Sequence, residues 1–154
     1  MNNTIRPLTR DDLDRVGFLA ESNGMFPADM LDGMVMPFLK EPSGDHRWLV
    51  FDQERVDGVA YYVPEALTEG TWNLLMIAVD SDRHGQGIGT ALMRFVERQL
   101  ADQGQRILLV ETSGKPEFEH TRAFYTMLGY EREERIRDFY AAGDDQIVFR
   151  KALL

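Results

Sequence analysis

An apolar run that feeds a glycine-studded turn and then an amphipathic helix constrains this chain most. Leu74, Leu75, Met76, Ile77, Ala78 and Val79 lead through Asp80, Ser81, Asp82, Arg83 and His84 into Gly85, Gln86, Gly87, Ile88, Gly89 and Thr90. Glycine at every second position lets the backbone approach an anion closely. The helix behind it aims free N–H groups and the positive end of its dipole at the same point. The segment demands a strand, a turn and a helix in that order, built to cradle a phosphate.

The hydrophobic period places this unit within an α/β chain. A strand over residues 5–8 precedes a helix over 11–22, with Thr9 as a hydroxyl cap, acids in its first turn and Leu13, Val16 and Ala20 at helical spacing. Pro27 opens a second helix whose apolar face is Met30, Leu31, Met34, Val35, Phe38 and Leu39. Residues 47–52 and 56–63 read as an antiparallel hairpin about Gln53, Glu54 and Arg55, and residues 71–79 as a mid-sheet strand, apolar on both faces from Leu74 onward. A helix over 88–103 crosses to a parallel strand over 106–111. Another helix over 118–128 stops at Gly129, and strands 130–138 and 146–152 close the chain around a turn containing Gly143, Asp144 and Asp145. The order β-α-α-β-β-β-α-β-α-β-β predicts a single α/β domain over residues 1–154, a mixed sheet of about seven strands flanked by helices.

Composition removes several classes of function. A chain of 154 residues with 44% apolar content can bury a core without cross-links, and the absence of cysteine excludes disulfides, thiolate metal sites and a cysteine acyl intermediate. The cytoplasm is the natural compartment. No apolar run approaches the roughly 20 residues of a membrane span, and the first residues lack a secretory pattern, so a soluble, unprocessed chain is expected. The net charge of −9 argues against sequence-independent nucleic-acid binding. It mildly favours cationic small molecules, or simply keeps molecules apart in solution.

Spacing separates three kinds of glycine loop. A nucleotide P-loop ends in Gly-Lys-Ser/Thr, whereas Gly89 is followed by Thr90 and Ala91. In a dinucleotide fingerprint the third glycine would fall one place later, and parallel βαβ units would precede it. The third reading is the pyrophosphate loop of acyl-CoA-dependent acyltransferases. His84, Gly85, Gln86, Gly87, Ile88 and Gly89 resemble the Gln/Arg-x-x-Gly-x-Gly/Ala signature of the GNAT superfamily, with His84 in place of the first Gln or Arg and Arg83 one position earlier. The resemblance extends over essentially the whole chain. It implies that backbone N–H groups from Gly85 to Thr90 bind the CoA pyrophosphate, and that Ile77 and Val79, on a strand splayed from its parallel neighbour, bind the pantetheine arm and the acetyl carbonyl. Tyr125, Gly129 and Tyr130 are similar to the family's Tyr-x-x-x-Gly-Phe/Tyr helix end, which implies that Tyr125 protonates the departing thiolate. Phe118 stands where an asparagine is often found, so no CoA contact is carried over there.

Aminolysis of a thioester needs a base, an oxyanion donor and an acid. Glu111, at the end of the strand beside the CoA strand, is a base candidate, or it orders the Thr112-to-Lys115 loop or binds a cationic substrate. The resemblance implies that the Val79 N–H, on the splayed strand, is the oxyanion donor. Tyr125, ordinarily titrating near about 10, suits a thiolate leaving group, or packs the core. His46, His84 and His120 show no ligand spacing and no Gly-x-Ser-x-Gly elbow exists, so no metal is expected. Among Trp72, Tyr61, Tyr62, Phe139 and Tyr140, one or two at the rim, with Glu111 and Asp138, form a candidate aromatic and acidic amine pocket. Asp144 and Asp145 read as a solvated turn or a cation site. The expectation is an acetyl-CoA-dependent N-acetyltransferase acting directly on a primary amine, small molecule or peptide, without nucleic acid or membrane. The alternative is a catalytically silent CoA-binding or sensing module. Analogy with the family offers a homodimer.

Overall fold

The computed structural model describes residues 4–154 and follows the expected element order. Strands β1 (Ile5–Pro7), β2 (Arg47–Gln53), β3 (Arg55–Pro64), β4 (Thr71–Val79), β5 (Ile107–Ser113), β6 (Glu131–Ala141) and β7 (Asp144–Ala152) form one seven-stranded sheet in the order β1-β2-β3-β4-β5-β7-β6. Helices α1 (Leu13–Ser22), α2 (Leu31–Lys40), α3 (Ile88–Asp102) and α4 (Glu119–Met127) flank it. The β4–β5 pair is parallel, as a helical crossover requires, whereas β1–β2, β2–β3, β5–β7 and β6–β7 are antiparallel. The last strand of the chain thus lies inside the sheet and β6 takes the edge.

Two compact units divide the chain, one of residues 4–64 and Leu75–Glu97, the other of Glu65–Leu74 and Arg98–Leu154. In the first, Val16, Leu19 and Ala20 of α1 and Leu31, Val35 and Phe38 of α2 recur at helical spacing and are buried with Trp48, Val50, Val59, Tyr61, Met76 and Ala78. In the second, Leu108 and Val110 are buried, as are Tyr125, Leu128, Tyr130, Ile147 and Phe149. Among the five aromatics proposed for the rim, Tyr61, Tyr62 and Trp72 are buried and Phe139 and Tyr140 are exposed.

Local differences have physical causes. Each of the first two helices is preceded by a 3-10 turn, Arg10–Asp12 and Ala28–Met30. At the first, the Asp12 carboxylate accepts from the Thr9 N–H at 2.8 Å and from the Thr9 hydroxyl at 3.1 Å, so the carboxylate reaches back over the turn and the hydroxyl donates to it. The closing hairpin is tighter than expected, because Ala141 already pairs with Asp144. Among the described residues no helix is long and apolar enough to cross a membrane.

Candidate active site

In the first unit, β4 delivers the chain to the glycine turn. The parallel ladder runs from Thr71↔Ile107 to Leu74↔Val110 and stops there, although β4 continues to Val79. The backbone of Leu75, Met76, Ile77, Ala78 and Val79 lies outside that ladder, as a strand must if its own N–H and C=O groups are to meet a ligand. Asp80 accepts from the Asp82 N–H at 2.9 Å and opens a 3-10 turn, Ser81–Arg83. Gly85 and Gly87 then take φ values of +81° and +83°, while Gln86 between them stays out of the left-handed region. A Cβ at either glycine would meet nothing within 4 Å, so conformation rather than space demands glycine. Backbone that alternates hands turns successive N–H groups toward one concave face.

Helix α3 completes the cradle. Its first bond joins the Ala91 N–H to the Gly87 carbonyl at 2.9 Å, which leaves the N–H groups of Ile88, Gly89 and Thr90 without helical acceptors. α1, α2 and α4 carry Asp14, Asp32 and Glu119 in their first turns, whereas α3 has no acid there. Its positive end is left for an external anion.

Two devices hold this turn. The first is His84, whose Nε2–H donates to the Val79 carbonyl at 2.9 Å, a carbonyl that also accepts from Asn23 Nδ2 at 3.2 Å. A carbonyl only accepts, so His84 carries its proton on Nε2. The second is an ionic network around two buried carboxylates. Asp57, 1% exposed, accepts from Arg15 at 2.7 Å, Arg55 at 2.8 Å and Arg83 at 2.6 Å, and Asp80 pairs with Arg15 and, at 3.5 Å, with Arg55. Burial pushes the Asp57 carboxyl up, but Arg15 and Arg55 outweigh it and hold it below the usual carboxylate range. Arg15 and the Asp82 N–H lower Asp80 likewise. Arg83 extends the network by donating to Gln86 within the turn at 2.7 Å. Gly58 matters sterically here: a Cβ would stand 2.8 Å from Ile88 Cγ2 and 3.0 Å from Leu92 Cδ1, so glycine lets the start of α3 lie on β3.

In the second unit, the Tyr125-x-x-x-Gly129-Tyr130 spacing has a mechanical meaning. Gly129, at φ +96°, ends α4 and lets the Tyr130 N–H return to the Tyr125 carbonyl at 3.1 Å. This clasps the Tyr125 ring among Phe124, Tyr130 and Phe149, with centroids at 5.4, 6.0 and 5.7 Å. Burial, and then neighbouring Tyr140, push the Tyr125 hydroxyl well above its ordinary value, so it holds its proton at any physiological pH. Tyr140 lies within the irregular stretch of β6 between Ile136 and Ala141. Burial raises it, a Gln146 hydrogen bond opposes the rise, and the charges of Glu111 and Asp144 add to it.

Glu111 has a partner that sequence reasoning missed. Asn73 Nδ2 donates to Glu111 at 2.7 Å and to Glu65 at 2.9 Å, so one buried amide joins two carboxylates. The opposite amide orientation would set its oxygen against both acids, so the carboxylates fix it. Asn73 Oδ1 is left buried without a partner, a defect worth about 1–3 kcal/mol.

The expected donor-binding residues Ile77, Val79, Gly85, Gln86, Gly87, Ile88, Gly89 and Thr90 all belong to the first unit. Glu111 and Tyr125 belong to the second. The Asp138 carboxylate accepts from the Gly143 N–H at 2.8 Å within the closing hairpin. Asp144 and Asp145 stand at the start of β7 rather than in a solvated turn, where Asp144 accepts from Ser113 and Asp145 from Arg135 at 2.6 Å. Among the described residues no cluster of three or more His, Cys, Asp or Glu could hold a metal. Asp57 and Asn73 did carry a signal, each being a polar residue inside an apolar strand run.

The glycine turn and the acid-free start of α3 together form a backbone cradle for an anion. Residues 43–132 match the model of the Acetyltransferase (GNAT) domain, and the chain belongs to that family. A crystal structure assigned to the GNAT family from Desulfovibrio desulfuricans superposes with a TM-score of 0.89 at 32% identity, covering 97% of this chain and 98% of that one. An uncharacterized N-acetyltransferase of Methanocaldococcus jannaschii is 29% identical over 100 residues, and the match spans 62% of each chain. An aminoglycoside 6'-N-acetyltransferase complexed with coenzyme A shares the fold, with a TM-score of 0.76 at 19% identity and 97% of both chains covered.

Proposed function

We propose that residues 1–154 act as one GNAT domain that transfers an acetyl group from acetyl-CoA directly to a primary amine, of a small molecule or a peptide, in the cytoplasm. The observation that carries this reading is the turn at Gly85 and Gly87, with left-handed backbone at both glycines, opening a helix whose first turn has no acid. These residues fit a pyrophosphate: Gly85, Gln86, Gly87, Ile88, Gly89 and Thr90 offer backbone N–H groups, and Ile77 and Val79 offer strand backbone to the pantetheine arm. Acetyl-CoA supplies an activated acetyl thioester. Glu111 takes the proton that frees the amine lone pair, or receives the amine as a cation. The Val79 N–H steadies the developing oxyanion, and Tyr125, which holds its proton, supplies it to the leaving sulfur.

The test is release of free thiol from acetyl-CoA across polyamines, amino acids, aminoglycosides and peptide N-termini, beside calorimetric binding of CoA. Amine-dependent release supports the reading. CoA binding with no release from any amine would instead support a silent CoA-binding module.

A further inference from the structure

The last peptide of β4 is tied on both of its sides, and one tie comes from outside the glycine turn. The Asp80 N–H donates to the Asp57 carbonyl of β3 at 2.9 Å. A trans peptide points its C=O opposite to its N–H, so the Val79 carbonyl faces away from β3, on the side where the β5 ladder has already ended. The N–H of Val79 points the same way, since a strand residue turns both of its backbone groups toward one neighbour. A strand end left like this offers a ligand one donor and one acceptor. Here the acceptor is taken twice, by His84 Nε2 at 2.9 Å and by Asn23 Nδ2 at 3.2 Å, and a backbone carbonyl has two lone pairs. What remains on that side of Val79 is a donor alone.

Asn23 is placed for this by α1 rather than by the turn. It follows the last residue of the helix, and its N–H and its Nδ2 both donate to the Leu19 carbonyl, at 3.2 and 2.8 Å. Gly24, at φ +72°, then folds the chain back so that the Met25 N–H reaches the Ala20 carbonyl at 3.0 Å. These bonds are enough to end a helix. The second Nδ2 contact, to a carbonyl 56 residues further along, adds nothing to the helix end and acts on β4. Only the nitrogen of the amide can face two carbonyls, so its partners fix the orientation of Asn23.

We propose that Asn23, together with His84, is a positioning residue for acyl transfer. By occupying both lone pairs of the Val79 carbonyl, the pair fixes the last peptide of β4 and leaves the strand end with a donor only, which selects the thioester carbonyl oxygen and turns a pantetheine N–H away from that position. The inference rests on the acetyltransferase reading. As the amine nitrogen adds to the thioester carbon, negative charge gathers on the carbonyl oxygen held by the Val79 N–H. A bare Val79 carbonyl beside it would oppose that charge, whereas a capped one has its partial charge directed at two N–H donors.

The test is infrared difference spectroscopy of acetyl-CoA, isotopically labelled at the thioester carbonyl and bound to the full chain, with calorimetric Kd, thermal melts and kcat for an amine that releases thiol measured on the same variants. A hydrogen bond to a carbonyl oxygen lowers its stretching frequency, so the wild type should shift the labelled band down. Asn23→Asp keeps the shape of the side chain but sets a carboxylate oxygen against two carbonyls. It should lose most of that shift and about tenfold or more of kcat, while the acetyl-CoA Kd stays within about twofold. Asn23→Ala removes the donor without adding repulsion and should lose less, and it decides the matter should the aspartate variant fold poorly. His84→Gln, whose amide N–H can take the place of Nε2–H, should keep the shift that His84→Ala loses. An unchanged band and kcat in both Asn23 variants overturn the proposal. So does a loss of Kd and melting temperature with the band unmoved, which would make Asn23 a helix-end residue only. The two readings fail separately. Thiol release with no Asn23 dependence keeps the transferase and removes the positioning role, whereas an Asn23-dependent shift without thiol release from any amine keeps the carbonyl site and removes the transferase.

Discussion

Replacing Gly87 with alanine isolates backbone conformation from every other property of the glycine turn. At φ +83° an L-residue carries a left-handed penalty of about 1–2 kcal/mol, and a Cβ there meets nothing within 4 Å, so no steric term adds to it. The unliganded turn can relax toward negative φ and shed most of that strain, but then its N–H groups no longer converge. Binding must restore the left-handed backbone, so the penalty falls on affinity: CoA Kd should rise about 5–30-fold. Thermal stability should change little. Gly87→Asn is the control, since asparagine tolerates this region better and should lose less. Isothermal titration with CoA, paired with thermal melts, reads both quantities. Unchanged affinity in Gly87→Ala would refute the reasoning, as would equal losses in the alanine and asparagine variants.

Three further outcomes follow from the same geometry. Gly58→Ala should drive a methyl into Ile88 and Leu92 and lower stability by about 1–3 kcal/mol in a denaturant melt, with a larger loss of CoA affinity than its distance from the ligand loop in sequence suggests. Asp57→Asn should cost about 1–3 kcal/mol at pH 7, because Arg83 loses its carboxylate while the partly exposed Arg15 and Arg55 keep Asp80. Because Asp57 titrates below its unfolded value of about 3.9, its contribution is complete above that pH and is lost as pH falls through the folded value, so wild type and variant should converge in acid melts. Tyr125→Phe should lower kcat while leaving CoA affinity nearly unchanged; full turnover when chemistry limits the rate would remove Tyr125 from the acid role.

Periodicity made the elements legible, because burial on one face of a helix or both faces of a strand writes itself into local sequence. Residues 71–79 were read to the residue, since apolar content on both faces admits only a mid-sheet strand. The helix starts were read less well: 3-10 turns at Arg10–Asp12 and Ala28–Met30 use the same capping residues as an α-helix and leave no distinct pattern. The position of β7 between β5 and β6 was invisible for another reason, since strand order is settled by long-range pairing that no local window contains. His84 illustrates both limits. Its place in the turn was evident, but that its ring reaches back to the Val79 carbonyl depends on backbone five residues away closing on itself.

The acidic surplus shows most clearly why a site is harder to read than a fold. A net charge of −9 is one number, and from sequence it favours cationic ligands no more than it favours simple repulsion between molecules. Folding sorts those charges. Asp57 and Asp80 sit in a low-exposure network where Arg15, Arg55 and Arg83 neutralise them, so their task is to hold the turn and they offer nothing to a cation. Glu65 and Glu111 are brought together by a neutral amide, which satisfies hydrogen bonds while leaving the charge uncompensated. Asparagine at position 73 therefore joins the two acids without cancelling their charge.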